Sequence, residues 1–199
     1  MSAREEILER LRKNTRETYD FPDLSGLNPI KFPDPVAEFI KKTTTTAGAK
    51  LIEMEESDNL NELIRKAYPE AKVLASNLPG IEADLNPDTV EHVEDLMKVD
   101  VGIIEGRIGV AENACIWIPQ QMKEKAVCFA SEYLVIILRR DDIVNNMHEA
   151  YARLATSAEY FQQYKFGTFI SGPSKTADIE SALVYGAQAA RGVTVVLKK

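Results

Sequence analysis

Cysteine is scarce in this chain: Cys115 and Cys128 are the only two among 199 residues. Two thiols cannot hold an iron–sulfur cluster, which takes about four, nor furnish a typical structural zinc site. Both lie inside apolar runs and read as small buried hydrophobes. Nothing resembles a disulfide framework, so a reducing compartment is expected. Histidine is equally sparse, and His92 and His148 pair neither with the cysteines nor with each other at metal-ligand spacing. No basic run exceeds two residues and the net charge is −7, so nucleic acid would be repelled at long range and is not an expected partner. No apolar run approaches the roughly 18 residues of a membrane-spanning helix, and membrane insertion is not expected. The segment Ser2–Arg10 is too charged for a secretory signal. A Walker loop and a Gly-x-Ser-x-Gly elbow are both missing. These absences together give the expectation of a cytoplasmic protein with no cofactor of its own.

What is present fits a folded α/β protein. Apolar residues make up 45% of the chain and charged residues 28%, enough apolar material for a full core without staples. Residues 3–18 read as a helix with a thin apolar stripe, Ile7, Leu8 and Leu11, and favourable pairs Glu6–Arg10 and Glu9–Lys13. From Tyr19 to Pro35, four prolines and Gly26 forbid a regular helix. Phe21, Leu24, Leu27, Ile30 and Phe32 make this stretch too apolar for a free linker, so it reads as an arm wrapping the domain. The organisation expected is a helix and arm over 1–35 and an α/β domain over 36–199.

In that domain, helical patterns at 36–42, 59–68, 88–97, 141–160 and 177–187 alternate with strand patterns at 50–54, 71–75, 99–104, 114–118, 133–138, 169–171 and 193–197. The threonines 43–46 read as a frayed helix end and a loop, and 108–112 is ambiguous. Tyr133 to Leu138 is a nearly continuous apolar run, as in a strand buried on both faces. Strands separated by helices imply crossover connections and a mostly parallel sheet flanked by helices.

Two peptides carry candidate chemistry. In the first, Phe169-Ile170 meets Ser171-Gly172-Pro173-Ser174-Lys175-Thr176-Ala177-Asp178, a pattern for a strand, a tight turn and a helix start. The N–H groups of a helix start favour an anion. The residues read either as a well-capped helix or as a ligand loop in which Ser171, Gly172, Ser174, Lys175 and Thr176 hold a carboxylate or phosphate. Asp178 suits the helix dipole but opposes a bound anion. The second peptide is Gly109-Val110-Ala111-Glu112-Asn113-Ala114. Glu112 either caps a helix or faces solvent, or acts as a base or nucleophile with Asn113 as its hydrogen-bond partner. Arg191, just before the last strand, reads as a surface arginine or as a second cation for the ligand loop.

Read together, Ile170 through Glu180, then Leu183, Val184, Gly186-Ala187 and Arg191 before Val193–Leu197, with Asp100-Val101-Gly102 leading to Gly109–Glu112, resemble the lactate-utilization family of LUD-domain proteins over residues 36–199. The resemblance implies a fold like that of the ribose-5-phosphate isomerase, glucosamine-6-phosphate deaminase and CoA-transferase superfamily. It also implies a place in cytoplasmic oxidation of L-lactate to pyruvate, with iron–sulfur or flavin groups carried by partner proteins. Where relatives read Ala-Glu-Thr-Gly-Ser/Thr, this chain has Ala111-Glu112-Asn113-Ala114-Cys115, and where many carry a histidine it has Ser131-Glu132-Tyr133.

Three functions follow as expectations. The first is an accessory protein binding a small anionic metabolite or a redox partner. The second is an enzyme using Glu112 as in CoA transferases or sugar-phosphate isomerases. The third is a ligand sensor or scaffold in which the N-terminal helix and arm clasp a second copy as a homodimer.

Overall fold

The central layer of the computed structural model, which describes residues 2–15, 17, 19–20, 22–23, 26–156, 166–177 and 182–199, is a five-stranded parallel sheet. Its strands are β1 (Lys50–Met54), β2 (Leu74–Ala75), β3 (Val101–Glu105), β6 (Tyr133–Arg139) and β11 (Gly192–Lys198), in the order β1-β11-β6-β3-β2. Every neighbouring pair runs parallel. The two longest strands, β6 and β11, lie inside the sheet, and their residues 134–138 and 193–197 are all buried. That explains their unbroken apolar sequence: covered on both faces, they need no polar alternation.

Side chains of successive residues point to opposite faces. Leu134, Ile136, Leu138, Val193, Val195 and Leu197 enter one core. Val135, Ile137 and Val196 enter another, with Val101, Ile103 and Ile64. Ile64 belongs to α3 (Leu60–Ala67), which starts where the Asn59 carboxamide accepts the N–H groups of Asn61 and Glu62. Each such fully buried Leu or Ile stabilises the fold by about 1.5–3 kcal/mol.

The first face is covered by α2 (Pro35–Thr45) and by a second sheet. Helix α2 opens on Asp34, which accepts the Ala37 N–H, with Pro35 at its first position, and it buries Phe39 and Thr43. The helix runs three residues beyond the expected 36–42. The hydroxyls of Thr43, Thr44 and Thr45 donate back to carbonyls of the preceding turn, so the threonine run continues the helix. The second sheet has the order β7-β4-β5-β8, formed by β4 (Ile108–Val110), β5 (Ile116–Pro119), β7 (Ile143–Val144) and β8 (Gly167–Ile170). It is mixed, with β4 parallel to β7 and antiparallel to β5. Its outer side packs Ile108, Val110 and Val144 against Ala150 and Leu154 of α5 (Met147–Thr156), the helix that follows the one-turn α4 (Val127–Ala130) in the chain. The protein is thus an α/β fold with a mostly parallel central sheet flanked by helices.

Several local expectations are corrected. The helix expected over 141–160 is a 3-10 turn at Arg140–Asp142, strand β7 and then α5. The β-branched pair Ile143-Val144 joins the sheet beside Gly109 and Val110, and the helix waits for Asn146, whose side chain accepts the Glu149 N–H. The helix expected over 88–97 is a 3-10 segment at Val93–Lys98. The strand expected over 71–75 is confined to Leu74–Ala75. No helix occurs among the described residues of 177–187. Val184–Tyr185 forms β10, antiparallel to β9 (Lys175–Thr176). Asp178 through Ser181, like Phe21 and Leu24 of the arm, lie outside the described residues.

The N-terminal helix α1 (Ala3–Asn14) carries a full capping box between Ser2 and Glu5 and buries none of its residues. The arm does touch the domain. The Phe32 N–H donates to Asn145 Oδ1 at 2.8 Å, and Asn146 Nδ2 donates to the Ile30 carbonyl at 2.7 Å.

Candidate functional site

The peptide 111–115 is a tight turn between β4 and β5. Asn113 Oδ1 accepts the Cys115 N–H at 3.0 Å, and Val110 and Cys115 are joined through the backbone. Ala114 takes φ 55°, a left-handed conformation that suits glycine far better than alanine. It occupies the position where the relatives' pattern reads Gly. The turn delays β5 to Ile116, two residues later than the strand pattern implied.

Glu112 is held from three sides. Its N–H donates to the Asn145 carbonyl, its own carbonyl accepts Lys42 Nζ at 2.7 Å, and its carboxylate accepts the Met147 N–H at 3.0 Å. Met147 opens α5, so the carboxylate caps that helix, where a negative charge is favoured. Of the two readings open in the sequence, this geometry supports the cap.

The second peptide meets the first. Ser171 Oγ donates to the Asn113 carbonyl at 2.9 Å. Gly172 follows at φ 68°, where a Cβ would lie 2.2 Å from the Ala47 carbonyl oxygen; only glycine lets this loop pass so close to the end of α2. Ser174 is fixed by its backbone: its N–H donates to the Ala190 carbonyl and its carbonyl accepts the Gly186 N–H. Lys175 Nζ donates to the Thr46 carbonyl at 3.3 Å, a cation at a helix C-terminus. Thr176 sits in β9. The anticipated anion site at a helix N-terminus is therefore replaced by a loop between two strands, backed by the last turn of α2.

A cavity of about 380 Å³ opens beside this loop. Ser171, Gly172, Ser174, Lys175 and Gln188 line its polar side, while Leu134, Ile170, Val193 and Ala190 line its apolar side. Glu112 and Asn113 do not line it; they stand behind Ser171. Cys115 lies near the Ser171 hydroxyl, and burial pushes its thiol pKa up. Burial likewise raises that of Cys128, on the cavity wall, to about 12. Both thiols stay protonated at neutral pH and are poor nucleophiles. Among the described residues no cluster of three or more His, Cys, Asp or Glu side chains could hold a metal ion.

Arg191 does not join this cavity. Its guanidinium donates to the Tyr133 hydroxyl at 2.6 Å and pairs with Glu132 at 2.8 Å. Sequence reasoning missed Leu134, Val193 and Gln188 as lining. The first two were within reach of the strand alternation, which puts them on one face; Gln188 gave no local signal.

The family model described as the LUD domain matches residues 82–197, more than half of the chain and all of both peptides. The chain belongs to the LUD-domain family. The matched span leaves out α1, the arm, α2, β1, α3 and β2, so Thr46 and Ala47, which back the loop, lie outside it. Lactate utilization protein C of Shouchella clausii (strain KSM-K16) is 28% identical over 109 residues, 54% of this chain and 48% of that protein. The chain thus spans about half the length of this curated relative. The crystal structure of a DUF162 family protein from Deinococcus radiodurans superposes with a TM-score of 0.66, at 15% identity, over 86% of this chain and 100% of that one. That likeness concerns the fold. Among the described residues, no helix of this LUD-domain protein is long and apolar enough to cross a membrane.

Proposed function

We propose that this LUD-domain protein binds a small organic carboxylate in the cavity beside residues 171–175 and serves as an accessory component of lactate oxidation. The observation that carries the reading is the closure of two distant peptides, through Ser171 and Asn113, beside a cavity with hydroxyl and amide groups on one wall and apolar side chains on the other. Ligand sites of this kind combine an apolar lining with a few fixed polar groups. The likeness to a lactate utilization protein supports the choice of L-lactate and pyruvate as ligands, and of redox proteins carrying iron–sulfur or flavin groups as partners. The capping role of Glu112 favours binding over a covalent mechanism on that carboxylate.

Isothermal titration calorimetry with L-lactate and with pyruvate tests the reading. Saturable binding is expected, weakened about tenfold or more by Ser174→Ala combined with Lys175→Gln. No binding of either acid, or binding indifferent to both substitutions, overturns it.

A second copy of the chain is also proposed as a partner. Helix α1 buries nothing, and Ile7 and Leu11 are each 59% exposed. Removing residues 2–34 should convert a dimer to a monomer in light scattering; an unchanged mass rules out the clasp.

A further inference from the structure

A second cavity, of about 400 Å³, opens at the amino ends of β1, β6 and β11, on the α3 side of the parallel sheet. Its wall is aromatic and held in place. The Tyr68 and Tyr133 rings lie 5.1 Å apart, centroid to centroid. The Tyr68 hydroxyl shares a 2.6 Å hydrogen bond with the fully buried Thr194. Gly192 makes room for the second ring, because a Cβ there would come within 2.7 Å of Tyr133 Cδ1. Arg191 lies over the Tyr133 ring at 5.0 Å and also donates to its hydroxyl.

Five charged groups border this wall: Lys50, Glu70, Asp100, Glu132 and Arg191. Asp100 is committed to the fold. Its Oδ2 accepts the N–H groups of Lys72 at 2.7 Å and Val73 at 2.8 Å. Glu132 is paired with Arg191. The side chains of Lys50 and Glu70 form no ion pair or hydrogen bond among the described residues. The wall therefore offers one uncommitted cation and one uncommitted anion, beside a guanidinium whose position is set by a tyrosine.

A simple carboxylate would face three acids against two cations, and a simple amine would face Lys50 and Arg191. A ligand carrying both charges meets neither conflict. We propose that this cavity is a binding site for a free α-amino acid with a planar side chain. The carboxylate faces Lys50 and Arg191, the ammonium faces Glu70, and the side chain lies along the two tyrosines. The ring contacts contribute through offset and edge-to-face packing.

Calorimetry on the full chain tests this with three probes of one shape: L-phenylalanine, 3-phenylpropionate, which lacks the ammonium, and 2-phenylethylamine, which lacks the carboxylate. L-phenylalanine is expected to bind, and each analogue to bind at least tenfold more weakly. Lys50→Gln and Glu70→Gln, both at exposed positions, should each weaken L-phenylalanine about tenfold while circular dichroism stays unchanged. Equal affinity for either analogue overturns the proposal. So does indifference to both substitutions, or the absence of binding by L-phenylalanine, L-tryptophan and L-histidine alike.

Discussion

Tyr133 and Leu134 are neighbours in the chain, yet they line different cavities. So do Arg191 and Val193, two residues apart at the start of β11. At Tyr133 and Leu134 the cause is the period of two of a β-strand, which sends adjacent side chains to opposite faces of the sheet. On the face toward the second sheet, the cavity combines hydroxyls, an amide and an ammonium with an apolar floor, and its shape depends on the backbone contact between Gly172 and Ala47. On the face toward α3, the cavity is walled by aromatic rings and charged groups of both signs, and its shape depends on side-chain hydrogen bonds. The amino ends of β6 and β11 thus border two cavities of unlike lining, one shaped by main chain and the other by side chains.

The contrast can be broken most forcefully at Gly172. Gly172→Ala places a Cβ against the Ala47 carbonyl at a left-handed φ, with an expected cost on the order of 2–5 kcal/mol. Thermal unfolding should shift down by on the order of 10 °C, with binding lost in the neighbouring cavity. A shift under about 2 °C would mean that the close approach is not needed. On the other face, Tyr68→Phe keeps the ring and strips the buried Thr194 hydroxyl of its partner, for a loss of about 1–3 kcal/mol, read from urea unfolding. If stability is unchanged, the aromatic wall is not fixed by that bond.

Glu112→Ala tests the cap and should cost about 1 kcal/mol through the start of α5. A loss of carboxylate binding beyond tenfold at unchanged stability would place Glu112 in the ligand's path instead. The smallest effect is a gain. Ala114→Gly relieves a left-handed alanine and should stabilise by about 0.5–1 kcal/mol, seen as a higher denaturant midpoint at constant slope.

The fold was legible where long-range pairing and local pattern agree. The buried runs at 133–138 and 193–197 and the capped helix after Asn59 could be read directly. The two peptides stand out by their motifs rather than by periodicity, and their meeting through Ser171 and Asn113 is visible only in the structure. What stayed hidden depended on partners distant in sequence. Ser174 through Asp178 has the composition of a helix start, but Lys175 and Thr176 pair with Tyr185 and Val184, and nothing local announces a two-residue ladder. Arg191 has two readings in the sequence, a surface arginine or a second cation for the ligand loop; its guanidinium turns to Glu132 and the Tyr133 hydroxyl, and nothing local chooses between the two. The last turn of α2, which receives both Lys175 and Gly172, lies about 125 residues upstream and carries no signal of that contact.

The Asn145-Asn146 corner links segments far apart in the chain. It binds Phe32 and Ile30 of the arm, receives the Glu112 N–H, and starts the helix that Glu112 caps. With Asn146 fully buried, a knot of this kind opens only if several segments of chain release together. The amide protons of Phe32, Glu112 and Met147 should therefore exchange with deuterium at similar, slow rates, a cooperative unit stitched across more than a hundred residues of sequence.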